Sequence, residues 1–100
     1  MKTKKDFEVE IEKAYEQCRM NIINVSKNVE REDDLNIFCN DSMKEFYAFM
    51  PYYSFNIYLS ELSYEDSLEM NRYGLQKSKE LHDLYTELFL AKRRGFDNFE

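Results

Sequence analysis

Residues 3–29 read TKKDFEVEIEKAYEQCRMNIINVSKNV, and this stretch decides the fold class. Thr3 and Asp6 have the spacing of a capping box, in which each side chain accepts a backbone N–H group of the other residue. Apolar residues then recur at alternating steps of four and three, as on one face of a helix: Ile11, Tyr15, Cys18, Ile22, Val25 and Val29. The first apolar residues also alternate with glutamates, as in a strand, but the helical pattern is longer. The stretch therefore predicts a helix from about Lys4 to Val29.

The next segment predicts a second helix that stops at the chain's one proline. Residues 30–34 are mostly acidic and suit a connection, and an apolar helical face follows from Leu35 to Phe49. We expect this helix to end at Pro51, because proline lacks the N–H group needed in a helix interior but suits the first position of a new helix. A further capping pattern allows a break near Asn40 and Asp41.

Residues 52–62 are compatible with two structures. Strict alternation of apolar and polar residues, rich in aromatic side chains, is typical of a strand near residues 52–60. Tyr52, Phe55 and Leu59 also have helical spacing, and we interpret the segment as helix.

The final third predicts one long helical region. Ser63 with Asp66 has the spacing of a capping box, and Gly74 either ends the helix or permits close packing. Gly95 suits a left-handed C-terminal cap followed by a short tail. The sequence has two glycines and one proline in 100 residues, so it contains few residues that favour turns, which favours long helices over many short strands. The fold class predicted for residues 1–100 is all-α, a compact single-domain bundle of three to four helices, with a small α+β domain as the alternative.

Composition and charge narrow the classes of partner. The formal net charge is -6, which opposes binding to nucleic-acid phosphates and favours encounter with a basic protein. The longest apolar run, Phe46 to Met50, is far too short to span a bilayer. Acidic residues follow the basic start where a signal peptide needs an apolar run, so we expect a cytoplasmic protein. Cys18 and Cys39 are interpreted as buried free thiols, with a single disulfide between them as the alternative.

No pattern of catalytic residues is present in the sequence. His82 is the single histidine and has no carboxylate three or four positions away, and Gly74 and Gly95 are isolated rather than part of a phosphate-binding loop. We therefore expect no enzymatic activity, no cofactor and no metal site.

The middle of the chain predicts a docking surface. Seven of the sixteen aromatic residues lie between Phe46 and Tyr58, more than one helix face can bury. Five acidic residues and no Lys or Arg lie between Glu45 and Asn71. The predicted partner-binding residues are Tyr52, Tyr53, Tyr58, Glu61, Glu65 and Glu69.

The proline and paired tyrosines, Pro51-Tyr52-Tyr53, resemble a feature of the immunity proteins of colicin nucleases. Those proteins use tyrosines and carboxylates to block a basic nuclease, although in that family the proline follows the tyrosines. The resemblance implies a mode of action: a stoichiometric inhibitor of immunity, antitoxin or phage type that masks a basic partner surface. The alternative is a regulatory or DNA-associated homodimer, paired through the first helix and using Lys92, Arg93 and Arg94 on phosphate.

Overall fold

The computed structural model describes residues 2–29 and 32–97, with side chains at all of these except residues 32, 36, 38 and 92–97. The three helices are α1 (Lys4–Asn28), α2 (Glu32–Tyr58) and α3 (Tyr64–Asp97). Each helix packs against the other two, and together they form a rod of 58 × 17 × 17 Å. The all-α prediction is confirmed. The strand alternative for residues 52–60 is wrong, because α2 remains helical through Tyr58.

The predicted first helix is present with its predicted cap. The Thr3 hydroxyl accepts the Asp6 N–H at 3.2 Å, and the Thr3 N–H donates to the Asp6 carboxylate at 2.8 Å. The apolar seam faces the interior: Ile11, Cys18 and Ile22 are buried, and the other three seam residues pack against the same core. The seam that the homodimer alternative would use therefore packs on the chain's own core.

α2 runs without interruption from Glu32 to Tyr58, so the predicted ends at Pro51 and near Asn40 and Asp41 are wrong. Pro51 lies on the exposed side of the helix, where water can bond the backbone carbonyl that loses its partner. On the opposite side, a stripe of buried residues continues across the proline with steps of four and three: Leu35, Cys39, Met43, Phe46, Met50, Tyr53 and Ile57. Burying Ile57 contributes about 1.5–3 kcal/mol and the apolar part of the Tyr53 ring adds to this, which offsets the roughly 3 kcal/mol that an interior proline costs.

A short turn joins α2 to α3. The Ser60 hydroxyl donates to the Ile57 carbonyl and accepts the Leu62 N–H, and the Ser63 hydroxyl accepts the Asp66 N–H at 3.2 Å. α3 therefore begins at the predicted cap. The end of α2 lies close to the start of α1, where Phe7 packs against Tyr53 with their ring centroids 5.8 Å apart.

The two glycines of α3 have different outcomes. Gly74 permits close packing, since a Cβ at this position would collide with the Met50 side chain, including Sδ at 2.9 Å. Gly95 was expected to end the helix, but α3 continues to Asp97 and no glycine of the described residues has a positive φ angle. A single glycine costs only about 1 kcal/mol in a helix and does not by itself force an end.

Candidate protein-binding surface

The aromatic segment of α2 divides between the core and solvent. Phe46 and Tyr53 are buried, and Phe49 is partly buried and stacks on Tyr53 with ring centroids 4.8 Å apart. Four other rings of the segment are exposed: Tyr47, Tyr52, Phe55 and Tyr58. A helix has one core-facing side, and the buried stripe of α2 occupies it. The surplus of aromatic residues that the composition indicated is therefore on the surface.

Three of the most exposed apolar residues of α2, with the residue that directly follows the helix, form what we call the α2 ridge: Tyr52, Phe55, Tyr58 and Leu59. Their exposed fractions are 69%, 59%, 77% and 64%. The first, second and fourth follow the spacing i, i+3 and i+7, and Tyr58 adjoins them three residues after Phe55. No charged residue occurs between Glu45 and Glu61, so the ridge is uncharged along its length. A cluster of exposed apolar side chains of this kind is typical of a protein–protein contact site.

Tyr53 does not belong to this surface. Its side chain is 6% exposed and packs between Phe7 and Phe49. Its hydroxyl is buried and has no hydrogen-bond partner among the described residues. Tyr53 is thus a core residue, whereas Tyr52 and Tyr58 are exposed as a binding surface requires. Phe55 and Leu59, which were not among the predicted binding residues, are exposed beside Tyr52 instead of Tyr53. The helical spacing of Tyr52, Phe55 and Leu59 in the sequence could have indicated that these three side chains share one face.

The three predicted glutamates lie in different settings. Glu61 is exposed in the turn before α3, so it cannot form a continuous helical stripe with the other two. Glu65 is exposed in the first turn of α3. Glu69 makes an ion pair with Lys4 of α1, at 2.7 Å between its carboxylate and the lysine Nζ. A hydrogen bond from Lys4 to Glu69 is the main cause that raises the pKa of Lys4. Glu69 therefore joins α3 to α1, while Glu61 and Glu65 make no ion pair among the described residues.

Glu61 is the carboxylate nearest to the ridge. It lines a surface groove at the end of α2 together with Leu59, Asn56 and Lys2. A second groove, between α1 and α2, is lined by Tyr52 on one side and by Glu10 and Lys13 on the other. The ridge is thus bordered by charged groups of α1 and of the α2–α3 turn.

Comparison with protein-family models, curated proteins and solved structures finds no match for this chain. The surface is therefore interpreted from its own residues.

A half-buried polar cluster joins α1 to α3 on another side of the bundle. The Lys77 Nζ lies 3.0 Å from the Glu12 carboxylate and 3.3 Å from that of Glu80, and 4.4 Å from the centroid of the Tyr15 ring. The Tyr73 hydroxyl donates to Glu12. One Glu80 oxygen is buried without a hydrogen bond, so its contact with Lys77 is an ion pair of poor hydrogen-bond geometry.

Three groups of this cluster have pKa values that are shifted away from neutral pH. Hydrogen bonds from Tyr73 and then Lys77 lower the pKa of Glu12. Burial lowers the pKa of Lys77, but its close contacts with the carboxylates of Glu12 and Glu80 outweigh burial and raise the pKa overall. Burial and the hydrogen bond to Glu12 raise the pKa of Tyr73 to about 12. Because the pKa values of Glu12, Lys77 and Tyr73 are all shifted away from neutral pH, these groups are suited to fixing the α1–α3 contact rather than to acid–base chemistry.

The remaining chemically active side chains do not assemble into a site. Cys18 and Cys39 are buried free thiols, and burial raises the pKa of Cys18 to about 11, which disfavours the reactive thiolate. His82 is exposed. In the described part of the chain, no three His, Cys, Asp or Glu side chains are grouped so that they could hold a metal ion. Within the same residues, no helix combines the length and apolar character needed to cross a bilayer. The side chains of the predicted basic end, Lys92 to Arg94, lie outside the described residues.

Proposed function

We propose that this chain is a protein-binding module that docks through the α2 ridge onto a partner with a basic surface. In this proposal it acts as a stoichiometric inhibitor of the immunity, antitoxin or phage type, and it masks the surface that it covers. The observation that carries the proposal is the ridge itself, in which four large side chains, each more than half exposed, lie on the last turns of α2 and directly after it without a charged residue among them.

The composition of the ridge fits the centre of an interface. Interface centres are rich in aromatic side chains and poor in charges, and tyrosine is over-represented among the residues whose truncation costs most affinity. Tyr52 and Tyr58 offer large apolar bodies with polar tips, and Phe55 lies between them. Since the ridge is carried on a packed helix, little backbone ordering is needed on binding.

The charge around the ridge favours a basic partner. Glu45 and Glu61 flank the uncharged segment, and both are exposed and unpaired within the described residues. With a net charge of -6, the chain attracts a basic protein over the distance of a Debye length, which is about 8 Å at physiological salt. We therefore expect the association rate constant to fall as salt is added, while the dissociation rate constant changes little.

The test compares a ridge variant with a matched control. The partner is first isolated by affinity capture with the wild-type chain and identified by mass spectrometry. Binding is then measured by calorimetry for the double variant Tyr52→Ser, Phe55→Ser. The control is Val9→Ser, Met20→Ser, which removes two apolar side chains that are more than half exposed on α1.

We expect the ridge variant to lose at least about 2 kcal/mol of binding free energy, a roughly 30-fold rise in Kd, and the control to bind like wild type. Circular dichroism confirms that both variants are helical. Equal affinity of a folded ridge variant and wild type would reject the ridge as the docking site, and equal losses in both double variants would show that its position is irrelevant.

A further inference from the structure

The groove between α1 and α2 is occupied by a cation of the chain itself. Lys2, which precedes α1, places its Nζ 5.5 Å from the centroid of the Phe7 ring and 5.7 Å from that of Tyr53. The same Nζ lies 3.0 Å from the Glu10 carboxylate. The two rings meet edge to face. Two aromatic rings and one carboxylate around an ammonium group form an arrangement that suits any Lys or Arg side chain.

This cation site borders the α2 ridge. The groove has a volume of about 530 Å³ and is lined by Lys2, Glu10 and Tyr53 together with Tyr52 of the ridge. Lys2 also lines the neighbouring groove that contains Leu59 of the ridge and Glu61. A partner protein that covers the ridge therefore has residues at the edge of its contact area that lie next to the cation site.

The contact of Lys2 can be exchanged for another cation. Its side chain is 52% exposed and that of Glu10 is 42% exposed, so water screens the ion pair and the contact is individually weak. A lysine held near the rings by a short stretch of chain competes with external cations as a local ligand at millimolar effective concentration.

The geometry points to a specific role for the cation site beside this groove: Phe7, Glu10 and Tyr53, which contact Lys2, form the subsite for a Lys or Arg side chain of the partner, and Lys2 occupies that subsite in the free protein. This assignment rests on the proposed function, which supplies the basic partner. On docking, the Lys2 ammonium group leaves the subsite and a Lys or Arg side chain of the partner replaces it between the two rings and the Glu10 carboxylate.

The experiment uses a small probe in place of the unidentified partner. N-acetyl-lysine methylamide is titrated into the protein, and the ring resonances of Phe7 and Tyr53 are followed by NMR, with N-acetyl-norleucine methylamide as the uncharged control probe. In Lys2→Ala, we expect the lysine probe to shift both rings and its apparent Kd to fall at least about twofold from the wild-type value, because the internal competitor is absent. Adding Glu10→Gln to that variant removes the charge-assisted contact and should raise the Kd by about threefold or more.

Lys13→Ala is the matched control variant. Lys13 lines the same groove and carries the same charge, but none of the cation–ring contacts of the described residues involves it. Removing it should leave the probe's Kd near the wild-type value. An equal gain of affinity in Lys13→Ala and Lys2→Ala would reduce the effect to general electrostatics and overturn the assignment, as would equal ring shifts from the uncharged probe. The probe titration does not use the partner. A negative result for the subsite can therefore be distinguished from a negative result for the ridge as the docking site.

Discussion

Replacing Lys77 by methionine should destabilise the bundle by about 2 kcal/mol at pH 7, because the ammonium group neutralises two carboxylates between α1 and α3. Methionine follows the course of the lysine stem and places a sulfur near the rings of Tyr15 and Tyr73, whose centroids lie 4.4 and 5.3 Å from Nζ. Packing is therefore largely kept. The substitution isolates the loss of charge.

The magnitude follows from the exposure of the three groups. The Lys77 side chain is only 15% exposed, and removing one partner of a buried ion pair typically costs about 3–5 kcal/mol. The side chains of Glu12 and Glu80 are each 40% exposed, so water solvates part of the charge that is left behind. Discounting for this screening gives about 2 kcal/mol, or a fall in Tm of roughly 8–16 °C for a domain of this size.

The difference between wild type and Lys77→Met should depend on pH in a defined direction. The folded-state pKa of Glu12 is lowered, so its contribution is complete above the ordinary value of 4.5 and is lost as the pH falls through the folded pKa. The pKa of Lys77 is raised, so its contribution is complete below the ordinary value of 10.5 and is lost as the pH rises through the folded pKa. The two proteins should therefore differ most near neutral pH and converge in acid.

The assay is urea unfolding followed by circular dichroism at pH 7 and at about pH 3, with Lys79→Met as the control. Lys79 lies on the same helix, is exposed and makes no ion pair within the described residues, so its replacement should change stability by less than about 0.5 kcal/mol. Equal unfolding midpoints of wild type and Lys77→Met at pH 7 would refute the reasoning. A constant difference at both pH values would show that packing, not charge, is responsible.

Two further predictions concern α2. Pro51→Ala should raise the free energy of unfolding by about 1–3 kcal/mol, because alanine restores a backbone hydrogen bond and removes the clash of the proline ring. This range allows for the opposing effect that alanine gives the unfolded chain more conformational entropy than proline does. A lower urea midpoint of the variant would contradict this prediction. Tyr53→Phe should leave stability unchanged or raise it by up to about 1–2 kcal/mol, because the buried hydroxyl has no partner among the described residues. A clear fall in Tm for the phenylalanine variant would indicate that the hydroxyl is bonded in solution.

α1 is the part of the fold that the sequence predicted most accurately. Its capping box and its six-residue seam act over a few residues or within one helix, so both can be read from spacing alone. The error at Pro51 arose because the local cost of proline was considered without the buried stripe that crosses it. Met50, Tyr53 and Ile57 continue the period of Phe46, and their burial outweighs that cost.

For a related reason, the sequence indicated only in part which of the predicted binding residues are exposed. Counting aromatic residues shows that some must be exposed, but not which ones. That choice depends on the rotation of α2 about its own axis, which buries Tyr53 and exposes Phe55. The settings of the three predicted glutamates also depend on the fold, because Glu61 precedes α3 and Glu69 pairs with Lys4 of another helix.

By itself, the amino-acid sequence determined that the chain is helical, where α1 begins, and that the middle segment carries more rings than one face can hide. Only the tertiary structure decided which rings reach solvent, and which lysines meet which carboxylates across the bundle, as Lys77 meets Glu12. The physical reason is the separation along the chain of the residues that interact. Caps and periodicity depend on hydrogen bonds and side chains within a few residues, whereas the rotation and pairing of helices depend on burying one core shared by segments far apart in the chain.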